Sequence, residues 1–224
     1  MTPTRVPPGD IAGRLAELRE RIAAASGDPS AVTVVAVTKG FGADAVRAAL
    51  GAGMVDIGEN YADELVAKAA AIGGDDPAPN WHFLGAIQRN KVARLAPLVA
   101  CWQGLSRLEE GRAIAKRRPG ARVLVQVDIA GIPGRGGCHP EGVPGLVSAL
   151  RDEELEVAGL MAVGPPGPPE GSRAGFRSVA VLADRLDLPV RSMGMTEDLE
   201  VAVSEGSTMV RIGRALFGDR PPKD

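Results

Sequence analysis

The chain has 224 residues, with 26 Lys and Arg against 28 Asp and Glu, so its formal charge of −2 leaves no basic excess to mark a nucleic-acid footprint. Four Phe, two Trp and one Tyr are too few and too scattered for a base-stacking platform, and two Cys supply neither a disulfide framework nor metal-ligand spacing. No apolar run approaches the roughly 18 residues of a membrane helix, and the first ten residues, with three Pro and no apolar stretch, do not read as a signal peptide; the expectation is a cytoplasmic protein with no nucleic-acid and no membrane partner.

Residues 1–10 read as a flexible N-terminal tail. From Ile11 to Ala25 the apolar residues Ile11, Leu15, Leu18 and Ile22 recur every three or four positions, which predicts an extra amphipathic helix ahead of the main pattern. Eight strand–helix units then follow. The predicted strands are Val32–Thr38, Met54–Ile57, Trp81–Leu84, Ala100–Gln103, Arg122–Asp128, Val157–Ala162, Pro189–Ser192 and Thr208–Ile212. The helices between and after them are expected near Ala43–Leu50, Ala62–Ala71, Asn90–Ala96, Leu108–Arg118, Glu141–Leu150, Gly171–Leu186, Glu197–Ser204 and Arg214–Phe217. Runs such as VTVVAV and RVLVQV are almost continuously β-branched or aliphatic, as in strands of a parallel sheet covered on both faces. Eight βα units in one unbroken stretch predict an α/β protein with a single (β/α)8 TIM barrel domain over residues 11–220. The rival is an open doubly wound sheet, but the turn after the first strand, Thr38-Lys39-Gly40-Phe41-Gly42, lacks the dinucleotide and Walker fingerprints. The Pro-rich stretch Gly164–Pro169 reads as a stiff loop.

Barrel ligands bind where the strands end. Lys39 ends the first strand after a run in which only Thr33 and Thr38 are polar. In a partly desolvated mouth its ammonium loses favour, and the neutral amine is the nucleophile that forms a Schiff base with an aldehyde. A lysine that snorkels to solvent is the plainer alternative. After strands seven and eight stand Ser192-Met193-Gly194-Met195-Thr196 and Arg211-Ile212-Gly213-Arg214, where barrels often hold phosphate on glycine turns and a short helix. Thr196 is the expected cap of the helix after strand seven, with Glu197 and Asp198 in its first turn, so an anion would prefer the Gly213 turn. A Schiff-base lysine opposite a phosphate cradle suits an aldehyde that carries a phosphate. His82 reads as a buried, hydrogen-bonded histidine, His139 as exposed, and Cys138 beside Arg135 as a somewhat reactive thiol.

Seven motifs occur in order: VAVTK at 35–39, GENY at 58–61, WHFLG at 81–85, QRNK at 88–91, GLMA at 159–162, SMGMTED at 192–198 and MVRIG at 209–213. Over residues 31–218 they resemble the pyridoxal phosphate homeostasis protein family. The resemblance implies a barrel of the alanine racemase N-terminal type, PLP fold type III, holding pyridoxal 5′-phosphate (PLP) on Lys39. It implies a cofactor site of Lys39, Asn60, Met161, Ser192, Met193, Gly194, Arg211, Gly213 and Arg214, with Arg211 near the ring nitrogen or the phosphate. It further implies a role in PLP homeostasis and amino-acid and keto-acid balance without strong turnover or catalytic residues, transient contact with PLP-dependent apoenzymes, and a monomer. The alternatives are a racemase-like PLP enzyme of the same fold type, which would need a second base from a further β domain, and a Schiff-base aldolase. Four departures stand out: Arg214 where the family has Thr or Ser, Gly40 where Thr is usual, Gln103-Gly104-Leu105-Ser106 in place of a His-Ser-Val-Asp-like stretch, and Arg135-Gly136-Gly137 where a Lys opens the triplet.

Overall fold

The structure, a computed structural model, describes residues 8–26, 28–73, 78–132, 134 and 136–220. The strands are β1 Thr33–Val37, β2 Asp56–Glu59, β3 Asn80–Phe83, β4 Val99–Leu105, β5 Arg122–Val127, β6 Glu156–Ala162, β7 Val190–Ser192 and β8 Met209–Ile212. They form a closed barrel in chain order, every neighbouring pair parallel. The seam closes over four register pairs from Thr33 with Met209 to Ala36 with Ile212. Around the barrel lie α1 Pro8–Ser26, α2 Ala43–Gly51, α3 Ala62–Ile72, α4 Arg89–Leu95, α5 Leu108–Ala115, α6 Val143–Asp152, α7 Arg173–Arg185, α8 Leu199–Ser204 and α9 Arg214–Phe217.

Most strand residues are covered on both faces because each βα crossover lays a helix on the outside, which is why the strands carry branched aliphatics rather than an alternation. Val46, Leu65, Val92, Ile114, Val147, Phe176 and Val179 fill the layer between helices and sheet, all buried. Helix α1 buries Ile11, Leu15, Leu18 and Ile22, the four residues its periodicity marked, and packs against α2, α8 and α9. At about 1.5–3 kcal/mol per buried aliphatic side chain, this one stripe accounts for the attachment of the helix.

Several boundaries differ from the expectations. Helix α1 begins at Pro8, three residues inside the segment read as a tail, while residues 1–7 lie outside the described ones. The second strand is Asp56–Glu59, not Met54–Ile57: buried Met54 belongs to the turn, and the register with β3 runs from Asp56–Asn80 to Glu59–Phe83. Strand β4 runs from Val99 to Leu105, beyond the expected Ala100–Gln103 at both ends, because buried Gly104 after Gln103 is an interior position that a hydropathy pattern does not score as strand. Helix α8 starts at Leu199 with Asp198 as its cap residue, not at Glu197 after Thr196. The Asp198 carboxylate accepts from the Met195 amide at 2.7 Å, which keeps Met195–Asp198 folded as a turn instead of a first helical turn. No helix among the described residues is long and apolar enough to cross a membrane, and no group of His, Cys, Asp and Glu among them could hold a metal ion.

Candidate functional site

A cavity of about 850 Å³ opens at the C-terminal end of the barrel. Its wall is contributed by the ends of β1, β2 and β3, by β6 and its Pro-rich loop, and by the loops after β7 and β8. Lys39, Asn60, Met161, Arg211, Gly213 and Arg214 all line it. Ser192, Met193 and Gly194 do not. Ser192 and Met193 are fully buried behind the wall. Gly194 has φ +92, and a Cβ there would stand 2.5 Å from the Ala202 Cβ, so glycine is needed where the β7 loop presses on α8. Pairing with β8 continues past β7 through Met193 N–H to Met209 O and Arg211 N–H to Gly194 O, both 3.0 Å.

The backbone that carries Lys39 is pinned from the side by a buried cluster. Thr38 donates its hydroxyl to Glu59 at 2.5 Å, Lys68 of α3 donates to the Thr38 carbonyl at 2.8 Å and to Glu59, and the Gly40 amide donates to Glu64 at 2.8 Å. Lys68 and Glu59 are 4% and 0% exposed, a closed ion pair bonded to Thr38, the residue before Lys39. Burial raises the Glu59 carboxyl above its ordinary value, opposed by Lys68 and Thr38. Gly40 takes φ +78, and a Cβ there would meet the Arg220 side chain at 3.0 Å, so glycine leaves room for Arg220 over the mouth.

The electrostatics suit an amine nucleophile beside an anion. The half-buried Lys39 ammonium is held below its ordinary pKa, first by burial, then by Arg220 and Arg211, against an opposing pull from Glu59. Burial pushes Arg211 down to about 10. Its guanidinium donates to the Ser192 carbonyl at 2.6 Å, the Ser192 hydroxyl at 2.8 Å and the Ala162 carbonyl at 2.8 Å. Arg214 sits at the rim in an exposed pair with Glu197 at 2.9 Å. The Gly213 turn is a close approach: a Cβ there would meet the Val37 carbonyl at 3.2 Å across the β1–β8 seam. Asn60 Oδ1 is buried and has no partner among the described residues, an acceptor on the cavity wall available to a ligand hydroxyl.

Sequence reasoning passed over Arg220, Phe41 and Thr196, which line the cavity, and the Glu59–Lys68 pair behind it. A signal existed for two of them, since Glu59 stands in the quoted GENY motif and Thr196 in SMGMTED. Nothing local marks Lys68 or Arg220, whose roles arise from α3 and from the segment after α9. His82 is buried and hydrogen-bonded and His139 exposed, as expected. Cys138 pairs through its backbone with Gln126 and Asp128 at the end of β5, and burial pushes its thiol pKa up, against the expected reactivity, while the Arg135 of that expectation lies outside the described residues.

The family profile described as alanine racemase, N-terminal domain, matches residues 11–221. A pyridoxal phosphate homeostasis protein of Pseudomonas aeruginosa is 40% identical over 219 residues, covering 94% of each chain. One of Escherichia coli is 32% identical, covering 94% of this chain and 97% of its own. PipY of Synechococcus elongatus, solved without PLP, superposes with a TM-score of 0.84 at 29% identity over 93% of this chain and all of its own; its PLP-bound structure gives 0.80 at 30% identity. Alanine racemase of Corynebacterium glutamicum shares the fold alone, at 19% identity and a TM-score of 0.71, with 62% of that longer chain covered. With the barrel, the lysine at its mouth and these relatives together, the chain belongs to the pyridoxal phosphate homeostasis protein family.

Proposed function

We propose that this single-domain barrel binds PLP covalently through Lys39 and serves cofactor homeostasis in the cytoplasm, as a monomer that meets PLP-dependent apoenzymes transiently. The observation that carries the reading is Lys39 itself, a half-buried amine of lowered pKa in a cavity of about 850 Å³ that also presents Arg211, Arg214 and Arg220. Bound there, PLP supplies an electrophilic aldehyde and a phosphate dianion. Lys39 provides the attacking amine. Arg211, Arg214 and Arg220 would hold its phosphate, and Asn60 would offer the ligand a free acceptor oxygen on the wall. Met161, on the cavity wall, would offer the bound group an apolar contact. Ser192, Met193 and Gly194 act from behind the wall, by holding Arg211 and the β7 loop in place. The names of the relatives, and the PLP held by the PipY structure, support the same ligand and a role in its balance rather than turnover.

The test is to titrate purified protein with PLP, record the visible band and reduce with borohydride. Wild type gives a reducible one-to-one adduct and Lys39→Ala gives none. An adduct that persists in Lys39→Ala overturns the assignment of Lys39, and no adduct in wild type overturns the cofactor. Steady racemisation of an amino acid by the purified protein would displace homeostasis in favour of an enzyme.

A further inference from the structure

A hydrogen-bonded chain crosses the barrel interior from the floor to the cavity. Asp56 at the start of β2 meets His82 Nε2 at 3.0 Å; His82 Nδ1 meets the Gln103 amide nitrogen at 2.8 Å; Ser192 donates to Gln103 Oε1 at 2.7 Å; and Arg211 donates to the Ser192 hydroxyl at 2.8 Å. Four of these residues are buried, at 0% for Gln103 and Ser192 and 5% for His82 and Arg211. Both ends fix the polarity. Arg211 has donors only, so the Ser192 oxygen accepts from it and the Ser192 proton goes to Gln103 Oε1. Asp56 is an acceptor, so a neutral imidazole carries its proton on Nε2 and presents Nδ1 as an acceptor. The Gln103 amide meets both demands in one orientation only, oxygen toward Ser192 and nitrogen toward His82, with the Met209 sulfur as a further acceptor at 3.2 Å.

We propose that Gln103 is a positioning residue of the cofactor cavity, which commits the Ser192 hydroxyl to accept from Arg211 and so sets how the guanidinium is presented to a bound ligand. Three bonds hold Arg211 to the wall, on Ser192 O, Ser192 Oγ and Ala162 O, which leaves at most two of its five donors for that ligand. Without an acceptor at Gln103 Oε1 the serine proton has no buried destination, the hydroxyl turns, and the bond from Nη1 competes with it. The inference concerns this chain's own side-chain wiring. It rests on the PLP reading above.

The experiment uses wild type, Gln103→Leu, Gln103→Glu and Ser192→Ala. The chain has two histidines, so long-range ¹⁵N spectra of the imidazoles isolate His82 without PLP. Wild type shows the Nε2–H tautomer. On PLP titration Gln103→Leu loses about tenfold in affinity and shifts the visible band, as expected for one buried hydrogen bond. Gln103→Glu keeps an acceptor for Ser192 and recovers affinity to within about threefold, although it disturbs His82 as much as Gln103→Leu does. A purely packing role predicts equal loss in both and overturns the proposal. So does the Nδ1–H tautomer in wild type, or wild-type affinity and band in Gln103→Leu. Should Gln103→Leu not fold, Gln103→Glu and Ser192→Ala decide together: near-wild-type affinity in Gln103→Glu with a loss in Ser192→Ala supports the proposal, and wild-type binding in Ser192→Ala, or equal loss in both, refutes it. Absence of any adduct in wild type instead sinks the cofactor reading and leaves the tautomer result to judge the wiring.

Discussion

Replacing Lys68 with Met leaves the Glu59 carboxyl in the interior with a single donor, the Thr38 hydroxyl, where it now also has Lys68. Glu59 is 0% exposed and its Oε2 has no partner among the described residues, so no second group compensates the loss. Breaking one side of a buried pair costs about 3–5 kcal/mol, and at roughly 2–4 °C per kcal/mol for a domain of this size the melting temperature falls by about 6–20 °C. The loss depends on pH. Burial already holds Glu59 above 4.5, the ordinary value for a glutamate, and without Lys68 it rises further. A carboxyl raised in the folded state binds more protons folded than unfolded, so stability is kept below the unfolded pKa and drains away as pH rises toward the folded one. The deficit of Lys68→Met is therefore smallest near pH 4.5 and grows through neutrality. Thermal melts by circular dichroism between pH 4.5 and 8, on Lys68→Met, Glu59→Gln and the double variant, measure it. In the double variant no charge is stranded, and it melts above Lys68→Met at pH 8. A Lys68→Met protein melting within about 2 °C of wild type, or with a deficit independent of pH, would refute the reasoning.

Three further outcomes follow from the site. Gly194→Ala forces an L-residue to φ +92 and a Cβ to 2.5 Å from Ala202, a combined cost of about 2–6 kcal/mol that a urea melt would show; an unchanged midpoint would mean the β7 loop yields freely. Arg214→Thr removes an exposed rim cation paired with Glu197, and PLP binding weakens by about two- to fivefold, less so in high salt; equal dissociation constants would place Arg214 away from the phosphate. Arg220→Ala removes a charge that helps depress Lys39, so the pH profile of adduct formation moves upward and the rate at neutral pH drops; an unmoved profile would leave burial and Arg211 as the causes.

What was legible in the sequence had local causes. Branched runs such as VTVVAV announced buried parallel strands, and four aliphatics on one stripe announced α1, because strand and helix periods are set by the backbone itself. Lys39, Asn60, Met161, Arg211, Gly213 and Arg214 were all found from motif and strand-end position, and the fold gathers them at one cavity. The errors had local causes too: Asp198, bonded to the Met195 amide, looked like a residue of the first helical turn and is the cap residue, and Gly104, scored as a turn former, hid the end of β4. The rest had none. Ser192, in a matched motif, lies behind the cavity wall and not on it; Lys68 reaches the Thr38 carbonyl across 30 residues, and Ser192 reaches Gln103 across 89. Barrel closure makes neighbours of β1 and β8 and opposes β3 and β4 to β7 and β8, so which buried polar group finds which partner was decided only by the tertiary structure. The residue types demanded partners by themselves, since buried donors and acceptors are costly unpaired, but a linear chain does not say where those partners stand.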